Sequence, residues 1–186
     1  MRLIVIHHPY DRPRFEQDFV ERLSERPEIT VAAADLAALA EGRLAGDGAF
    51  AGFDAVAVFV AFNRLRSAPA LDWQGFSGRR VLIDHDAIQN YSDIAGDTYA
   101  GAWPPAFRRH KFDLLVTSGR AVRDRLEAEG IRAAWLPKGF EHTRFSDTPG
   151  PRAGLTSYGS AYACRKVSER ALREAGIAVE RIDTVL

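Results

Sequence analysis

Short apolar runs separated by polar stretches recur along the chain. The clearest are LIVI, AVAVFV, VLI, LLV and AAWL, at 3–6, 55–60, 81–83, 114–116 and 133–136. Continuous apolar runs of this length are typical of strands that are buried on both faces of a sheet. The pattern therefore predicts a mainly parallel sheet.

Amphipathic helical patterns lie between several of these runs. In 11–26 and 120–130, apolar residues recur at helical spacing: Phe15, Phe19, Val20, Leu23, Val122 and Leu126. For the second of these helices, Ser118 is a predicted N-cap and Gly130 a predicted C-terminal stop. Alternating strands and helices predict an α/β fold with a doubly wound, mainly parallel, Rossmann-like sheet.

A segment rich in Pro and Gly divides the chain. Residues 146–154 read SDTPGPRAG, which is the composition of a linker. A strand, a helix and a strand then follow one another again, so we predict a first domain at 1–145 and a partial second α/β unit at 155–186. So short a unit cannot bury enough apolar surface alone. It either docks on the edge of the first sheet or begins a second domain whose remainder is missing from the chain.

Charge and composition narrow the class of protein. The 186 residues carry 25 basic and 25 acidic side chains, so the whole chain lacks the positive field that draws proteins to nucleic acid. No apolar run approaches the ~18 residues of a membrane span, and the single cysteine, Cys164, fits a reducing compartment. We expect a cytoplasmic protein with no nucleic-acid partner and no integral membrane segment. All but three basic residues are arginine, which is typical of a GC-rich bacterial genome.

Polar residues follow the apolar runs, at the positions where α/β folds bind ligands. In such folds the binding crevice lies at the carboxyl ends of the strands. The residues at these positions are His7, His8, Asn63, Arg64, Asp84, His85, Asp86, Ser118, Gly119, Arg120, Lys138 and Gly139. Their shared location makes them candidate binding residues.

The first histidine pair admits two interpretations. A neutral imidazole at His7 or His8 could bind a sugar hydroxyl, or act as a general base if a carboxylate fixes its tautomer. Either residue could equally be an ordinary loop histidine that is hydrogen-bonded to the backbone.

The stretch from Asp84 to Asp86 admits three interpretations. The two carboxylates could share a divalent cation, contact a polar substrate, or cap the turn after the strand. In an extended chain, Asp84 and Asp86 share one face and His85 lies on the other. We expect no bound metal and no cofactor.

Residues 157–166 combine a strand, a glycine turn and a helix start with two cations, Arg165 and Lys166. Backbone N–H groups at a helix start, helped by a guanidinium, suit a phosphate. Such turns are common in α/β folds, so the segment is either a phosphate site or an ordinary turn. Cys164 beside the cations is a weaker candidate nucleophile.

Four successive segments resemble the GT-B glycosyltransferases, two-domain enzymes that transfer a sugar from a nucleotide donor to an acceptor. The segments are LIDHDAIQNY at 82–91, FDLLVTSGRAVRDRLEAEGI at 112–131, AAWLPKGFEHTRF at 133–145 and GLTSYGSAYACRK at 154–166. In that family, Asp, strand, Ser, helix, strand and Pro-Asn-Gly close the amino-terminal domain, and strand, glycine and helix open the next. The resemblance implies a nucleotide-sugar donor and an acceptor of unknown identity as partners.

The resemblance also implies roles on the acceptor side. His8 and His85 would line the cleft there, and in an inverting enzyme either could be the catalytic base. Lys138 stands where the family often has Asn, directly before Gly139.

On the donor side, Gly159 matches the glycine that opens the second domain. Ser160 and Arg165 stand at the positions of an Arg and a Lys that contact the donor diphosphate in many members, and Lys166 could compensate for the missing cation.

The family binds nucleotide mainly through acidic residues beyond the point that corresponds to Leu186. We therefore expect the parent activity to be sugar transfer and this polypeptide alone to be inactive. The alternatives are a non-catalytic sugar- or protein-binding α/β module, and a metal-dependent hydrolase built on Asp84 and Asp86.

Overall fold

The structure, a computed structural model, divides the chain into two compact units. It describes residues 1–7, 21–27, 29–41, 50–60, 62–73, 75–84, 86–91, 99–137, 155–158 and 163–182. The first unit contains the described residues up to 137, and the second contains those from 155 onward.

The first unit is built on a parallel sheet. Its strands are β1 (Arg2–His7), β2 (Thr30–Asp35), β3 (Ala55–Phe59), β4 (Arg79–Asp84), β5 (Leu114–Thr117) and β6 (Ala133–Trp135). Within the described residues they take the order β2-β1-β3-β4-β5-β6, and each neighbouring pair is parallel. This sheet confirms the predicted α/β, Rossmann-like fold class, and the five apolar runs form strands β1 and β3 to β6.

Strand β2 has no counterpart among the predicted strands. Its sequence, TVAAAD, is half alanine, a residue that is depleted in strands, so no strong apolar run marks it. It pairs with β1 along its whole length, from Thr30 beside Arg2 to Asp35 beside His7. Pairing with β1 therefore holds these residues in a strand although their local sequence has little strand preference. The same pairing makes β1 an internal strand.

The helices of the first unit follow the strands. They are α1 (Leu36–Ala40), α2 (Phe62–Ser67), α3 (Trp103–Arg109) and α4 (Arg120–Ala128), with a 3-10 helix at Ala87–Tyr91 and helical residues at 21–24. None of the helices in the described ranges is long and apolar enough to cross a membrane.

Helix α4 matches the predicted helix in its apolar face and in its end. Val122 and Leu126 are buried, and Gly130 has a φ of +77°, a left-handed conformation that favours glycine after a helix. The prediction of Ser118 as N-cap is wrong. Gly119 takes the extended conformation of the N-cap, and no side chain bonds to the free N–H groups there.

The core of the first unit has a thick apolar layer on one face of the sheet and a thinner one on the other. On the first face, residues of the strands pack against residues of α1 to α4, among them Ile6, Val58, Leu82, Leu115, Leu39, Leu65, Phe107 and Leu126. On the second face, Val5, Ala57 and Ile83 pack with Leu23 and Ile29. Burial on both faces explains why the strands read as continuous apolar runs.

An ion pair joins the beginnings of β4 and β5. The guanidinium of Arg80 donates from Nε and Nη2 to the two oxygens of Asp113, at 2.9 and 2.7 Å. The backbone N of Arg80 also donates to Asp113 Oδ2 at 2.8 Å. These hydrogen bonds lower the pKa of Asp113, so the pair persists at any pH above the ordinary range of an aspartate.

The second unit contains a parallel β-α-β arrangement. Strands β7 (Leu155–Tyr158) and β8 (Val179–Ile182) pair in parallel, and α5 (Ala163–Glu174) connects them in the chain. Val167 on α5 is 55% exposed, and Ile177 beyond it is 44% exposed. The strand, helix and strand that the sequence predicts after residue 154 thus occur among the described residues.

Candidate functional site

The carboxyl ends of the strands form one edge of the first unit. From β1 the chain goes to β2 on one side and then to β3 on the other, so the direction of strand addition reverses at β1. In doubly wound folds, ligands bind outside the carboxyl ends of the strands beside such a reversal. The candidate site is therefore the carboxyl edge, meaning the last residue of each of β3 to β6 and the first three described residues after it.

Asp84, the last residue of β4, is buried, and its carboxylate holds two neighbouring elements. Its Oδ2 accepts a hydrogen bond from Nε1 of Trp103, and its Oδ1 accepts one from the backbone N of Asp86, both at 2.7 Å. Trp103 is fully buried and stacks on Phe62 with 3.6 Å between the ring centroids. The bond to Asp86 closes the turn after the strand, in keeping with the capping interpretation.

Asp86 lies in a different environment from Asp84, because its side chain is exposed. Strand β4 ends at Asp84, so the strand alternation that would put Asp84 and Asp86 on one face does not extend to Asp86. No group of three His, Cys, Asp or Glu side chains that could hold a metal occurs among the residues that the structure describes. Asp86 is thus the carboxylate that this turn presents to solvent.

Replacement of Asp84 by asparagine is expected to lower the free energy of unfolding by about 1–3 kcal/mol, because the new NH₂ group must face one of two N–H donors. Urea unfolding followed by circular dichroism measures the change. The control is Asp86→Asn, whose exposed position predicts a change within about 0.5 kcal/mol. Equal losses in the two variants would contradict a structural role for Asp84.

An exposed indole stands at the ends of β5 and β6. Trp135 donates from Nε1 to the backbone oxygen of Ser118 at 3.1 Å, and the guanidinium carbon of Arg120 lies 4.5 Å from the centroid of its ring. Trp135 is 41% exposed, and Leu136 beside it is 43% exposed. The hydrogen bond and the cation–π contact favour one orientation of the ring. This edge therefore presents a rigid aromatic surface with a cation beside it.

His110 is a buried histidine at the far end of α3 from Trp103. Its Nδ1 accepts a hydrogen bond from the backbone N of Leu71 at 3.3 Å, so its Nε2 donates to the backbone oxygen of Leu65 at 3.0 Å. Burial and the positive charge of Arg109 lower the pKa of His110 to about 4. The neutral imidazole therefore links the end of α3 to Leu65 on α2 and to Leu71 in the segment that follows α2. The role of His110 is structural.

Of the predicted site residues, Asp84, Asp86 and Arg120 lie at the carboxyl edge, and Lys166 is exposed on α5 of the second unit. The backbones of His7 and Arg165 lie in β1 and α5. Six predicted site residues lie outside the described ranges: His8, His85, Lys138, Gly139, Gly159 and Ser160. Their proposed roles stay predictions.

Sequence reasoning missed Trp135 as a functional candidate, although it named residues on both sides of it. The available signal was a large aromatic side chain at the end of a short apolar run, directly before Leu136 and Pro137. A strand that ends there exposes its last side chain at the carboxyl edge.

Comparison with known proteins gives no assignment. No family model matches the chain, and neither the curated proteins nor the solved structures include a significant match.

Proposed function

We propose that this chain supplies the acceptor-side part of a nucleotide-sugar-dependent glycosyltransferase of the GT-B type, with a sugar acceptor bound at the carboxyl edge. The observation that carries the proposal is the exposed indole of Trp135, which is held by Ser118 and stacked against Arg120. The C–H face of a sugar ring packs on an aromatic ring, while its hydroxyls bond to charged side chains. Arg120 and the exposed Asp86 are such side chains.

The order of the two units supports the choice of this family. A parallel sheet comes first in the chain, and a parallel β-α-β arrangement follows it. This is the order of parts in a two-domain sugar transferase. Because a fold alone does not determine function, the proposal depends on the side chains at the edge.

The chemistry of the proposed reaction is group transfer. The acceptor hydroxyl oxygen forms a bond to the anomeric carbon of the donor sugar, the bond from that carbon to the diphosphate breaks, and the hydroxyl proton passes to a base or to the leaving group. Arg120, Trp135 and Asp86 orient the acceptor, which lowers the entropy cost of bringing the two reactants together. His8 or His85 would be the base in an inverting reaction, and Arg165 with Lys166 would stabilise the departing diphosphate.

Acceptor binding is tested by saturation-transfer NMR with glucose, galactose, mannose and N-acetylglucosamine and their disaccharides. We expect at least one sugar to bind, and Trp135→Ala and Arg120→Gln each to weaken its binding by about tenfold, since each removes a stacking or charged contact. Leu136→Ala is the control, because it removes an equally exposed apolar side chain without an aromatic face. Binding that survives the loss of Trp135 would refute this site.

Donor binding is tested separately, by calorimetric titration of uridine, guanosine, adenosine, cytidine and thymidine diphosphates. We expect binding of at least one nucleotide, weakened about tenfold by Lys166→Gln because a phosphate contact is lost. Arg170→Gln, one turn further along α5 and also exposed, is the control. If no diphosphate binds, the donor-phosphate role of α5 in this chain fails, whereas a sugar site at the carboxyl edge still stands.

A non-catalytic binding module is the second candidate. The exposed apolar side chains of Ile88, Trp135 and Leu136 lie after β4 or at the end of β6 and directly after it. Such a surface also suits a protein or glycan partner. Sugar binding at Trp135 without nucleotide binding would favour this module over the enzyme.

A further inference from the structure

A groove between helices α1 and α2 is separate from the residues used above. It is open to solvent and has a volume of about 700 Å³, and its described lining residues belong to both helices and to the turns that end them. This volume lies within the range of small-molecule sites in proteins. The helices follow β2 and β3, the two strands that flank β1, so the groove lies beside the reversal of strand order.

Small apolar residues form part of the described lining of the groove. Ala37 and Ala40 line it from α1, and Ala68 with Pro69 lines it from the turn after α2. Small side chains leave the space between the two helices open, where larger ones would interlock as in a packed interior. The groove can therefore accept the apolar part of a ligand without moving the backbone.

The polar groups of the groove come mainly from α2. Asn63, Arg64 and Ser67 line it, and two of them are engaged within the helix. Asn63 Oδ1 accepts a hydrogen bond from the backbone N of Arg64 at 2.9 Å, and Ser67 Oγ donates to the backbone oxygen of Asn63 at 2.9 Å. These bonds fix the polar side of the groove around Arg64.

The guanidinium of Arg64 is the charged group best placed to bind a ligand in this groove. Its side chain is exposed, and no ion pair or ring contact joins it to another residue in the described part of the chain. Neighbouring arginines are engaged: Arg66 lies over Tyr99, and Arg109 donates to the backbone oxygens of Leu65 and Arg66. Among the described residues, Arg64 therefore has no ion-pair partner that an anionic ligand would have to displace.

Among the described residues that line the groove, Glu41 is the acidic one. Helix α1 begins directly after β2, so Glu41 lies past its last turn, about 7 Å along the helix axis from Leu36. Arg64 lies on the six-residue helix α2, which begins after β3. Glu41 and Arg64 therefore line the groove from different helices.

We propose that the groove between α1 and α2 binds a small organic anion, a carboxylate or a phosphate with a short apolar chain. The anionic head pairs with Arg64 and takes further hydrogen bonds at Asn63. The apolar chain lies against Ala37, Ala40 and Ala68. This inference does not depend on the proposed transferase function, because it uses none of the same residues.

Three probes with the same apolar body and different heads test the inference: hexyl phosphate, hexanoate and hexylammonium. Saturation-transfer NMR with the full chain at millimolar ligand gives the relative affinities. We expect at least one of the two anions to bind and hexylammonium to bind at least about tenfold more weakly, because charge-assisted hydrogen bonds hold the head. Binding of hexylammonium equal to that of the anions, or no binding of either anion, overturns the proposal.

Two variants locate the binding. Arg64→Gln is expected to weaken the better anion by at least about tenfold, and Ala37→Phe, at an exposed position of α1, is expected to block the groove for every probe. Arg26→Gln removes an exposed arginine elsewhere in the unit and is expected to change nothing. Anion binding that is unchanged in Arg64→Gln or in Ala37→Phe places the anion elsewhere and refutes the site. Circular dichroism of each variant verifies that the fold is retained.

Discussion

Replacement of Trp103 by alanine is expected to lower the free energy of unfolding by about 4 kcal/mol or more, the largest single effect in the first unit. The variant leaves a cavity the size of an indole in a fully buried position, where large-to-small changes of Trp and Phe cost about 3–5 kcal/mol. It also removes the stacking on Phe62 and the hydrogen bond to Asp84. A buried carboxylate oxygen that loses its donor adds a further penalty.

Two variants separate the contributions at Trp103. Trp103→Phe keeps a ring against Phe62 and loses the hydrogen bond, so we expect an intermediate loss of about 1–3 kcal/mol. Trp135→Ala removes an indole that is 41% exposed and is expected to cost at most about 1 kcal/mol. The measurement is urea unfolding of all variants at one pH. Similar losses for Trp103→Ala and Trp135→Ala would contradict the placement of Trp103 in the core.

The second large effect is a loss of stability as pH falls from 6.5 to 4, caused by His110. Its pKa in the folded chain is about 4, against an ordinary value of 6.5. Between these values the unfolded chain binds a proton that the folded chain excludes, so stability rises with pH there and is complete above 6.5. The expected loss is about 2 kcal/mol between pH 7 and pH 5, and about 3 kcal/mol by pH 4.

Comparison of two pH profiles assigns this loss to His110. In His110→Gln the overall stability is lower, because the glutamine cannot reproduce both bonds, to Leu71 and to Leu65. The fall in the free energy of unfolding between pH 6.5 and 4 is nevertheless expected to be smaller than in the wild type. The difference is most of the loss that protonation of His110 causes. Asp113 interferes little, because its pKa is lowered from an ordinary value of 3.8 and its effect therefore begins only at the lower end of that window. Parallel profiles in the two proteins would show that other groups cause the fall.

The fold could be predicted from the sequence to the extent that each strand carries its own signal. Buried strands such as β3 require apolar side chains on both faces, and the run AVAVFV records this directly. Strand β2 is held by its pairing with β1. Its sequence, TVAAAD, has no strong apolar run from which a strand could be predicted. Helix α4 was predictable because its apolar face and its terminal glycine lie within one short segment.

The candidate site was harder to predict, because its geometry depends on residues far apart in the chain. The structural task of Asp84 depends on Trp103, 19 residues later, so the sequence left metal, substrate and capping roles open. The setting of Trp135 depends on Ser118 and Arg120, which come from another strand end. The groove at Arg64 depends on the spacing of two helices, which no local pattern encodes.

The central claim, that a sugar binds at the carboxyl edge on Trp135, is tested most directly by the indole N–H signals of the ¹⁵N-labelled chain. The protein has three tryptophans, and their Nε1 groups donate to His110, Asp84 and Ser118 from Trp73, Trp103 and Trp135 respectively. With the sugars named above, the Trp135 signal is expected to shift in a saturable manner while the signals of buried Trp73 and Trp103 stay in place. If no sugar moves the Trp135 signal, or if all three signals move together, the claim is contradicted.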